Sequence, residues 1–336
     1  MTRRELPILI ALVALFVGVG LYERRFWAAD NLRIILDWVP LLIIVALGQM
    51  AVILTRGVDV AVGSTLALSG MATAILLRDY PNLNVYLAAL LAVGFGAVLG
   101  AINGGLIAYG RVPAIVATLG TMGVFRGLTF IVSRMSVAHG LIIASSDGKQ
   151  VSEYELPRAL STWSAEGPGG QSLVAWVVIV ALLAAVGMHV LLTRTRGGRT
   201  LYALGGNPEA ATLRGLPTRP ATFWVYVLCG AGAGLAGILY ASRYGTVNPA
   251  TIGSGFELLV IAATVIGGVS VFGGVGTVPG VVLGCFLLGT INVALSVLAI
   301  DATYQQAVYG FVILLAVLFD DRAARQLRLR LTGEEE

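Results

Sequence analysis

The sequence predicts an all-α, polytopic membrane protein, and three observations support that fold class. Hydrophobic side chains make up 57% of the 336 residues, charged side chains only 12%, and glycine occurs 43 times. Soluble globular proteins carry about 25% charged residues and about 7% glycine, so an ordinary soluble enzyme is excluded. Apolar runs long enough to cross a bilayer recur along nearly the whole chain. We therefore expect a single transmembrane domain over residues 1–336.

The apolar runs predict about ten spanning helices joined by short loops. Because ten is an even number, both termini lie on one side, and 13 of the 22 Lys and Arg then fall on that side. This basic excess places both termini in the cytoplasm. An external loop at 134–170 and a cytoplasmic tail at 320–336 complete the topology. The expected helices cover 6–22, 33–54, 60–77, 84–108, 112–133, 171–192, 222–242, 256–273, 277–299 and 303–319.

The cysteines and the only lysine argue against disulfides, a cysteine metal site and an ATP-binding loop. Cys229 and Cys285 lie inside apolar runs, so neither a disulfide framework nor a CxxC metal site is expected. Lys149 is the only lysine, and its neighbours do not form the GxxxxGK(S/T) loop that binds ATP. We expect no catalytic residue, metal ion or cofactor in this chain. The net charge of +4 reflects basic loops beside the membrane, so no nucleic-acid partner is expected.

The cytoplasmic segment 194–221, between two predicted spans, contains the signals that start a short helix. Asn207 is suited to accept hydrogen bonds from the first turn, and Pro208 fits the first helical position, where no donor is needed. Glu209 complements the positive end of the helix. The segment therefore predicts a helix that begins at Pro208.

The same segment also contains the signal that ends this helix. Gly215 predicts a left-handed end, so the helix covers 208–214. A helix this short is unstable by itself in water. It is therefore expected to dock, either on the membrane face of its own chain or on a cytoplasmic partner.

Glycines repeat every four residues in three predicted spans, and such stripes allow helix backbones to approach closely. Close packing within the fold explains them, and helix sliding during a functional cycle is the alternative. The stripes are Gly96, Gly100 and Gly104; Gly230 and Gly234; and Gly276, Gly280 and Gly284.

A short sequence similarity relates the two halves of the chain. The run LGAIN at 99–103 resembles LGTIN at 288–292. The two runs lie in spans of opposite direction, as inverted-topology repeats require. We expect the repeat to relate spans 2–5 to spans 7–10.

Polar groups inside a membrane are costly, so each is a candidate functional residue that could line a pathway through the protein. Arg126 and Glu257 are both expected in the outer half, where they could form an ion pair, with Asp37 as the other possible partner of Arg126. Asp59 either caps a helix or lines the pathway. Amide side chains either bond neighbouring helices or meet a polar solute, and the candidates are Asn103, Asn248, Asn292 and Gln305.

Four segments together resemble the permeases of bacterial ABC importers of the ribose/xylose, or monosaccharide, class. ALGQMAVILTRG and SRYGTVNPATIGSGFELLVIAA look nearest to the permeases for rhamnose and for autoinducer-2. The resemblance runs from about 35 to 319. The segments are ALGQMAVILTRGVDVAVGSTLALSG (46–70), ATLGTMGVFRGL (117–128), LYALGGNPEAATLRGL (201–216) and SGFELLVIAATVIGGVSVFGGVGTVPG (254–280).

The resemblance implies a transport subunit of the inner membrane that is not itself an enzyme. It implies a partner ATPase with two nucleotide-binding domains, which holds ATP and Mg, an external solute-binding protein, and a second permease chain, identical or not. An ion-coupled secondary transporter of a small polar solute is the alternative. The residues that resemble the segment coupling the permease to its ATPase are Asn207, Pro208, Glu209, Ala210, Ala211, Leu213, Arg214 and Gly215.

Overall fold

Helices account for most of the architecture, and their bounds follow the predicted apolar runs closely. The computed structural model describes residues 5–138, 141–144, 175–300, 304, 307–311 and 314. Gln305, most of the external loop and the tail at 320–336 lie outside these residues. The helices are α1 (Glu5–Tyr22), α2 (Ala29–Leu54), α3 (Val62–Asp79), α4 (Val85–Ala108), α5 (Ala114–Val132), α6 (Trp176–Arg194), α7 (Arg196–Gly206), α8 (Pro208–Leu213), α9 (Thr218–Tyr244), α10 (Phe256–Ile266) and α11 (Val278–Val297).

Smaller elements fill some of the connections. A 3₁₀ turn (Arg24–Trp27) joins α1 to α2. A short antiparallel hairpin, β1 (Met135–Ala138) with β2 (Leu141–Ala144), opens the predicted external loop. The described positions within 304–314 are helical, in the tenth predicted span. The all-α, polytopic fold class is confirmed, with this hairpin as a minor addition.

Seven of the described helices are long and apolar enough to cross a membrane, namely α1, α2, α4, α5, α6, α9 and α11. Helix α3 is enclosed by α4, α5 and α9, and nearly all of its residues are buried. Because α3 contacts protein rather than lipid, it tolerates a more polar composition than a lipid-facing helix. Its buried hydroxyl-bearing residues are Ser64, Thr65, Ser69 and Thr73.

The prediction of a spanning helix over 256–273 is wrong. Helix α10 ends at Ile266 after 11 residues. Gly268, Gly273 and Gly274 then adopt φ of 84°, 83° and 72°, and left-handed residues of this kind cannot continue an α-helix. The glycine-rich run therefore forms a loop over 267–277 that leads into α11.

The start of α10 lies against the start of α3. A Cβ on Gly63, at the start of α3, would contact Oε2 of Glu257 and the carbonyl of Gly253. The chain therefore turns back after Tyr244 and places the first turn of α10 beside the first turn of α3. The expectation that Glu257 lies in the outer half stays a prediction.

The glycine stripes of α4 and α9 face each other. A Cβ on Gly96 would overlap the carbonyl oxygen of Gly230, and a Cβ on Gly230 would overlap that of Gly96. Gly100 and Gly104 meet the backbone of Tyr226 and Phe223 in the same way. The predicted close packing is confirmed, because any side chain at these positions would push the two helices apart.

The remaining stripe packs α11 against α10 and the loop that follows it. A Cβ on Gly284 would overlap the carbonyl of Ala263, and one on Gly280 would overlap that of Gly267. Gly289, in the LGTIN run, instead meets Val39 of α2. Helix α4 thus packs on α9 and α11 packs on α2. Equivalent contacts of this kind agree with two related halves, and the inverted repeat stays a prediction.

Candidate functional site: a docking helix tied to the core

Helix α8 begins as its sequence predicts. Oδ1 of Asn207 accepts a hydrogen bond from the backbone N–H of Ala210 at 3.0 Å. Pro208 occupies the first helical position and Glu209 lies in the first turn. This N-cap satisfies a donor that would otherwise lack a partner, and Glu209 complements the positive end of the helix dipole.

The end of α8 is also fixed by local sequence. Gly215 has φ of 72°. Its N–H donates to the carbonyl of Thr212 at 2.9 Å, and the N–H of Leu216 donates to that of Ala211 at 3.1 Å. These two bonds form a Schellman ending, so the helix stops at Leu213, one residue earlier than predicted.

One face of α8 lies on its own chain and the other is open. Ala211 is buried, while α8 contacts α7 and α9. Leu213 is 89% exposed, and Glu209 and Arg214 are also exposed. Among the described residues, the outer face of α8 therefore presents one exposed apolar side chain beside two exposed charged ones.

The preceding helix, α7, is held to the core by Arg56. The Nε of Arg56 donates to the carbonyl of Gly205 at 2.7 Å, and its Nη2 donates to that of Gly206 at 2.9 Å. Arg56 itself has φ of 65° in the connection between α2 and α3. A guanidinium at the C-terminus of a helix satisfies carbonyls that lack partners and complements the negative end of the dipole.

A second contact fixes α7 to the loop 267–277. The hydroxyl of Tyr202 donates to the carbonyl of Gly276 at 2.8 Å. The N–H of Gly274 donates to the carbonyl of Leu54 at 3.0 Å. The last turn of α2, the end of α7 and the loop 267–277 therefore form one junction, and Asn207, the N-cap of α8, follows it directly.

Asp59 lies just beyond this junction and is 1% exposed. Its Oδ1 accepts from the N–H of Ala61 at 2.9 Å, which closes the turn before α3. Asn103 of α4 lies beside the Asp59 carboxylate, but neither polar atom of that amide completes a well-formed hydrogen bond among the described residues. Ala61 is the N-cap of α3 and no side chain caps that helix, so Asp59 closes the preceding turn and does not cap α3 itself. The structure brings Asp59 and Asn103 together.

Arg126 binds backbone instead of the acids considered from the sequence. Its Nη1 donates to the carbonyl of Ile252 at 2.7 Å. Asp37 pairs with Arg243, with Nη1 and Oδ2 at 2.9 Å, so the expectation of Asp37 as a partner of Arg126 is wrong. Glu257 interacts electrostatically with Arg126. The ion pairs between described residues do not include these two side chains.

The other amide candidates are dispersed. Asn248 is exposed, and its Oδ1 accepts from the N–H of Ala250 at 2.8 Å within its own turn. Asn292 Nδ2 donates to the hydroxyl of Tyr309 at 2.9 Å. Asn292 thus bonds α11 to the last described helical stretch, and Gln305 falls outside the described residues. The structure does not bring these residues together with Asp59 or Arg126.

Comparisons with known proteins find transport permeases that are similar to this chain. The family described as "Branched-chain amino acid transport system / permease component" matches residues 31–317. The ribose import permease protein RbsC of Escherichia coli (strain K12) is 39% identical over 315 residues, which cover 94% of this chain and 92% of that protein. No solved structure matches the chain.

Permeases for autoinducer 2 are similar over the same extent. The autoinducer 2 import system permease protein LsrC of Photorhabdus luminescens is 35% identical over 320 residues, or 95% of this chain and 90% of that one. LsrC of Salmonella typhi is 36% identical over 330 residues, or 98% and 89%. The predicted resemblance to the monosaccharide class and to autoinducer-2 permeases is confirmed, whereas the likeness to rhamnose permeases stays a prediction.

Proposed function

The chain belongs to the family of branched-chain amino acid transport system permease components, and we propose that it is the membrane-spanning subunit of an ATP-driven importer for a monosaccharide or sugar-like solute. The relatives named as import permeases for ribose and autoinducer 2 align with almost its whole length. Its multi-pass helical structure agrees with that role. The proposal places the chain in a bacterial inner membrane with both termini in the cytoplasm.

The observation that carries this proposal is the open face of α8. A six-residue helix with both ends capped presents Leu213, which is 89% exposed. A helix of this length needs tertiary contacts to persist, and α7 supplies them on only one side. The outer face is therefore the surface on which we propose that a cytoplasmic ATPase docks.

The junction around Arg56 supplies a route from α8 to the membrane helices. Movement of α8 would displace Gly205 and Gly206, whose carbonyls bind Arg56. The connection that contains Arg56 also contacts α5, because Thr118 Oγ1 lies 3.3 Å from the carbonyl of Val58. Segments joined by short hydrogen bonds of this kind move together, so we propose that a movement of α8 is passed to both α2 and α5.

The energy for transport has to come from the partner rather than from the solute. A solute that binds the inward-open and outward-open states equally cannot bias the cycle. We propose a partner ATPase with two nucleotide-binding domains, which holds ATP and Mg, and an external solute-binding protein that delivers the solute. A second permease chain, identical or related, would complete the pathway.

The substrate class rests on two supports. The curated relatives are named for ribose and autoinducer 2, and amides and carboxylates suit the hydroxyl groups of such solutes. The family description mentions branched-chain amino acids. Such solutes would need different side chains to bind them. We propose the sugar-like class because the ribose permease is 39% identical over 94% of this chain.

An ion-coupled secondary transporter is the alternative, and the comparisons do not favour it. Such transporters place acidic or histidine residues along an intramembrane ion pathway. The relatives are named as import permeases, and α8 would have no evident use in an ion-coupled carrier. Uptake driven by a proton or sodium gradient in the absence of ATP would support this alternative.

The proposal is tested by purifying the tagged chain in mild detergent and identifying the proteins that accompany it. We expect an ATPase with two Walker A motifs in stoichiometric amount. The variant Leu213→Asp should lose that ATPase, because a charge replaces the exposed apolar contact. The control Asn82→Asp adds a charge in the exposed connection at the other end of α3 and should retain it.

Two results would contradict the proposal. The first is a chain that purifies without any nucleotide-binding protein even after crosslinking from residues 208–214. The second is an ATPase that remains bound to Leu213→Asp and to Glu209→Arg alike, which would move the docking surface away from α8.

A further inference from the structure

A continuous apolar groove runs between α6 and α9 on the lipid-facing side of the protein. One cavity of about 450 Å³ lies beside Thr195, Leu201 and Trp224. A second, of about 310 Å³, lies beside Gly48, Gly187 and Leu235. Leu191 and Leu228 line both cavities, so the two adjoin. Their volumes fall in the range of natural ligand sites.

The groove is long enough to hold an acyl chain through one leaflet of a bilayer. On α9 it extends from Pro220 to Leu235, which at 1.5 Å per residue is about 22 Å. The hydrocarbon core of a membrane is about 30 Å thick, so one leaflet is about 15 Å deep. An acyl chain entering at the Trp224 end therefore finds apolar walls through the whole depth of its leaflet.

Glycine keeps open the part of the groove farthest from Trp224. A Cβ on Gly187 would meet nothing within 4 Å, so the absence of a side chain there is not required by helix packing. A larger residue at 187 would extend into the cavity instead. Gly187 thus provides a position at which the groove can be filled without disturbing the helices around it.

Positive charge is concentrated at one end of the groove. Arg194 ends α6, and Arg196 and Arg199 lie in the first turn and a half of α7, interleaved with the lining residues Thr195, Gly197 and Thr200. All three arginines are exposed. Among the residues that the structure describes, none of their guanidinium groups has a hydrogen bond or an ion pair.

We propose that this groove binds an anionic phospholipid, with an acyl chain along α6 and α9 and the headgroup against Arg194, Arg196 and Arg199. Guanidinium groups bind phosphate strongly and in a directed way. Basic pockets between membrane helices attract anionic headgroups. Trp224, which is 63% exposed, lies where aromatic side chains prefer the membrane interface. The site adjoins α7, so its occupant would stabilise the helix that carries α8.

The test uses the full-length chain, with any protein that accompanies it, reconstituted in nanodiscs of phosphatidylglycerol and phosphatidylcholine. After gentle release, native mass spectrometry counts the retained lipids. We expect phosphatidylglycerol adducts to exceed phosphatidylcholine adducts, and the triple variant Arg194→Gln, Arg196→Gln, Arg199→Gln to lose that preference. We expect Gly187→Leu to lower retention at least fivefold. Gly18→Leu is the control, because Gly18 is also exposed and unopposed but does not line this groove.

A photoreactive benzophenone side chain at position 187 identifies the occupant directly. Crosslinking to phosphatidylglycerol supports the proposal. Crosslinking to a peptide of this chain or of a second copy overturns it, since protein would then fill the groove. Equal retention of both lipids in the wild type and in the arginine variant also overturns it. Size-exclusion profiles confirm that each variant is folded, and no step depends on transport, so the outcome is independent of the proposed function.

Discussion

Arg56 and Gly205 join two parts of the chain that are 149 residues apart, through a 2.7 Å hydrogen bond from the Arg56 Nε to the Gly205 carbonyl. Arg56 lies just beyond α2, the most extensively buried of the candidate spans. Gly205 lies in the last turn of α7, two residues before the cap of α8. The docking helix is therefore connected to the core by a defined contact and not only by the covalent chain.

Replacing Arg56 should uncouple α8 from the membrane helices. Arg56→Ala removes two hydrogen bonds from a charged donor, worth about 2 kcal/mol together when discounted for partial exposure. We expect solute uptake to fall about thirtyfold while the assembled complex still hydrolyses ATP. Uptake and hydrolysis measured in the same proteoliposomes separate these two effects.

Arg111→Ala is the matched control for Arg56. Arg111 also lies in a connection between two helices, α4 and α5, with φ of 56°, and is exposed. Normal uptake in Arg111→Ala together with reduced uptake in Arg56→Ala would assign the effect to the contact with α7. Equal uptake in both variants would remove Arg56 from the route.

Reversing the charge at Glu209 should weaken docking without affecting the membrane fold. Glu209→Arg places a cation at the positive end of α8 and alters the exposed face. We expect uptake to be lost while expression and thermal stability in detergent remain near the wild-type values. Wild-type uptake in this variant would contradict the role of α8. Ala203→Arg, at an exposed position of the preceding helix that does not line the groove between α6 and α9, controls for added positive charge on this side of the protein.

The α4–α9 interface provides a stability test with an internal control. Gly96→Ala would place a Cβ against the carbonyl of Gly230, and overpacking of this kind costs about 1–3 kcal/mol. We expect a lower melting temperature in detergent. Gly94→Ala, two residues earlier on the same helix, meets nothing within 4 Å and should melt at or above the wild-type temperature. A similar loss in both variants would show that helix contact is not the cause.

Arg126 offers a test of how the turn before α10 is held. Arg126→Ala removes the donor to the Ile252 carbonyl and leaves Glu257 without a nearby positive charge. We expect impaired folding or transport, with partial recovery in the double variant Arg126→Ala, Glu257→Gln, because the unbalanced carboxylate is removed. Yield of folded protein and uptake are both measured.

The amount of recovery separates two explanations. Recovery to about half of the wild-type yield would indicate that charge balance matters most. No recovery would assign the effect to the Ile252 hydrogen bond, since Glu257→Gln cannot restore it. Glu257→Gln alone serves as the control and should fold like the wild type.

Local chemistry explains why α8 and the glycine stripes were predictable. Asn207, Pro208 and Gly215 act within one turn of their own positions, so their effect is visible in the sequence. The four-residue spacing of Gly96 and Gly100 likewise reports one helix face. The early end of α10 carried a comparable signal in its paired glycines, but hydrophobicity alone did not separate a buried loop from a span.

Contacts between residues that are distant in sequence could not be predicted in this way. The expected partners of Arg126 were acids, because opposite charges attract at any distance in sequence, and yet a backbone carbonyl at Ile252 lies nearer. Arg243 forms an ion pair with Asp37. In the sequence, nothing beyond their opposite charges relates these two residues. Arg56 is one of the basic residues that the predicted topology places inside, and its bond to Gly205 depends on a contact that the sequence does not show.

The sequence by itself determined that the chain is an all-α membrane protein, where most helices begin and end, and which family it resembles, because hydrophobic length, capping residues and motifs are local properties. Only the tertiary structure decided that α7 is bound by Arg56, that α10 begins beside α3, and that α4 and α11 pack on helices of the opposite half. Those outcomes depend on which backbones meet after folding. The energy of such contacts belongs to pairs of distant residues, and no single stretch of sequence contains it.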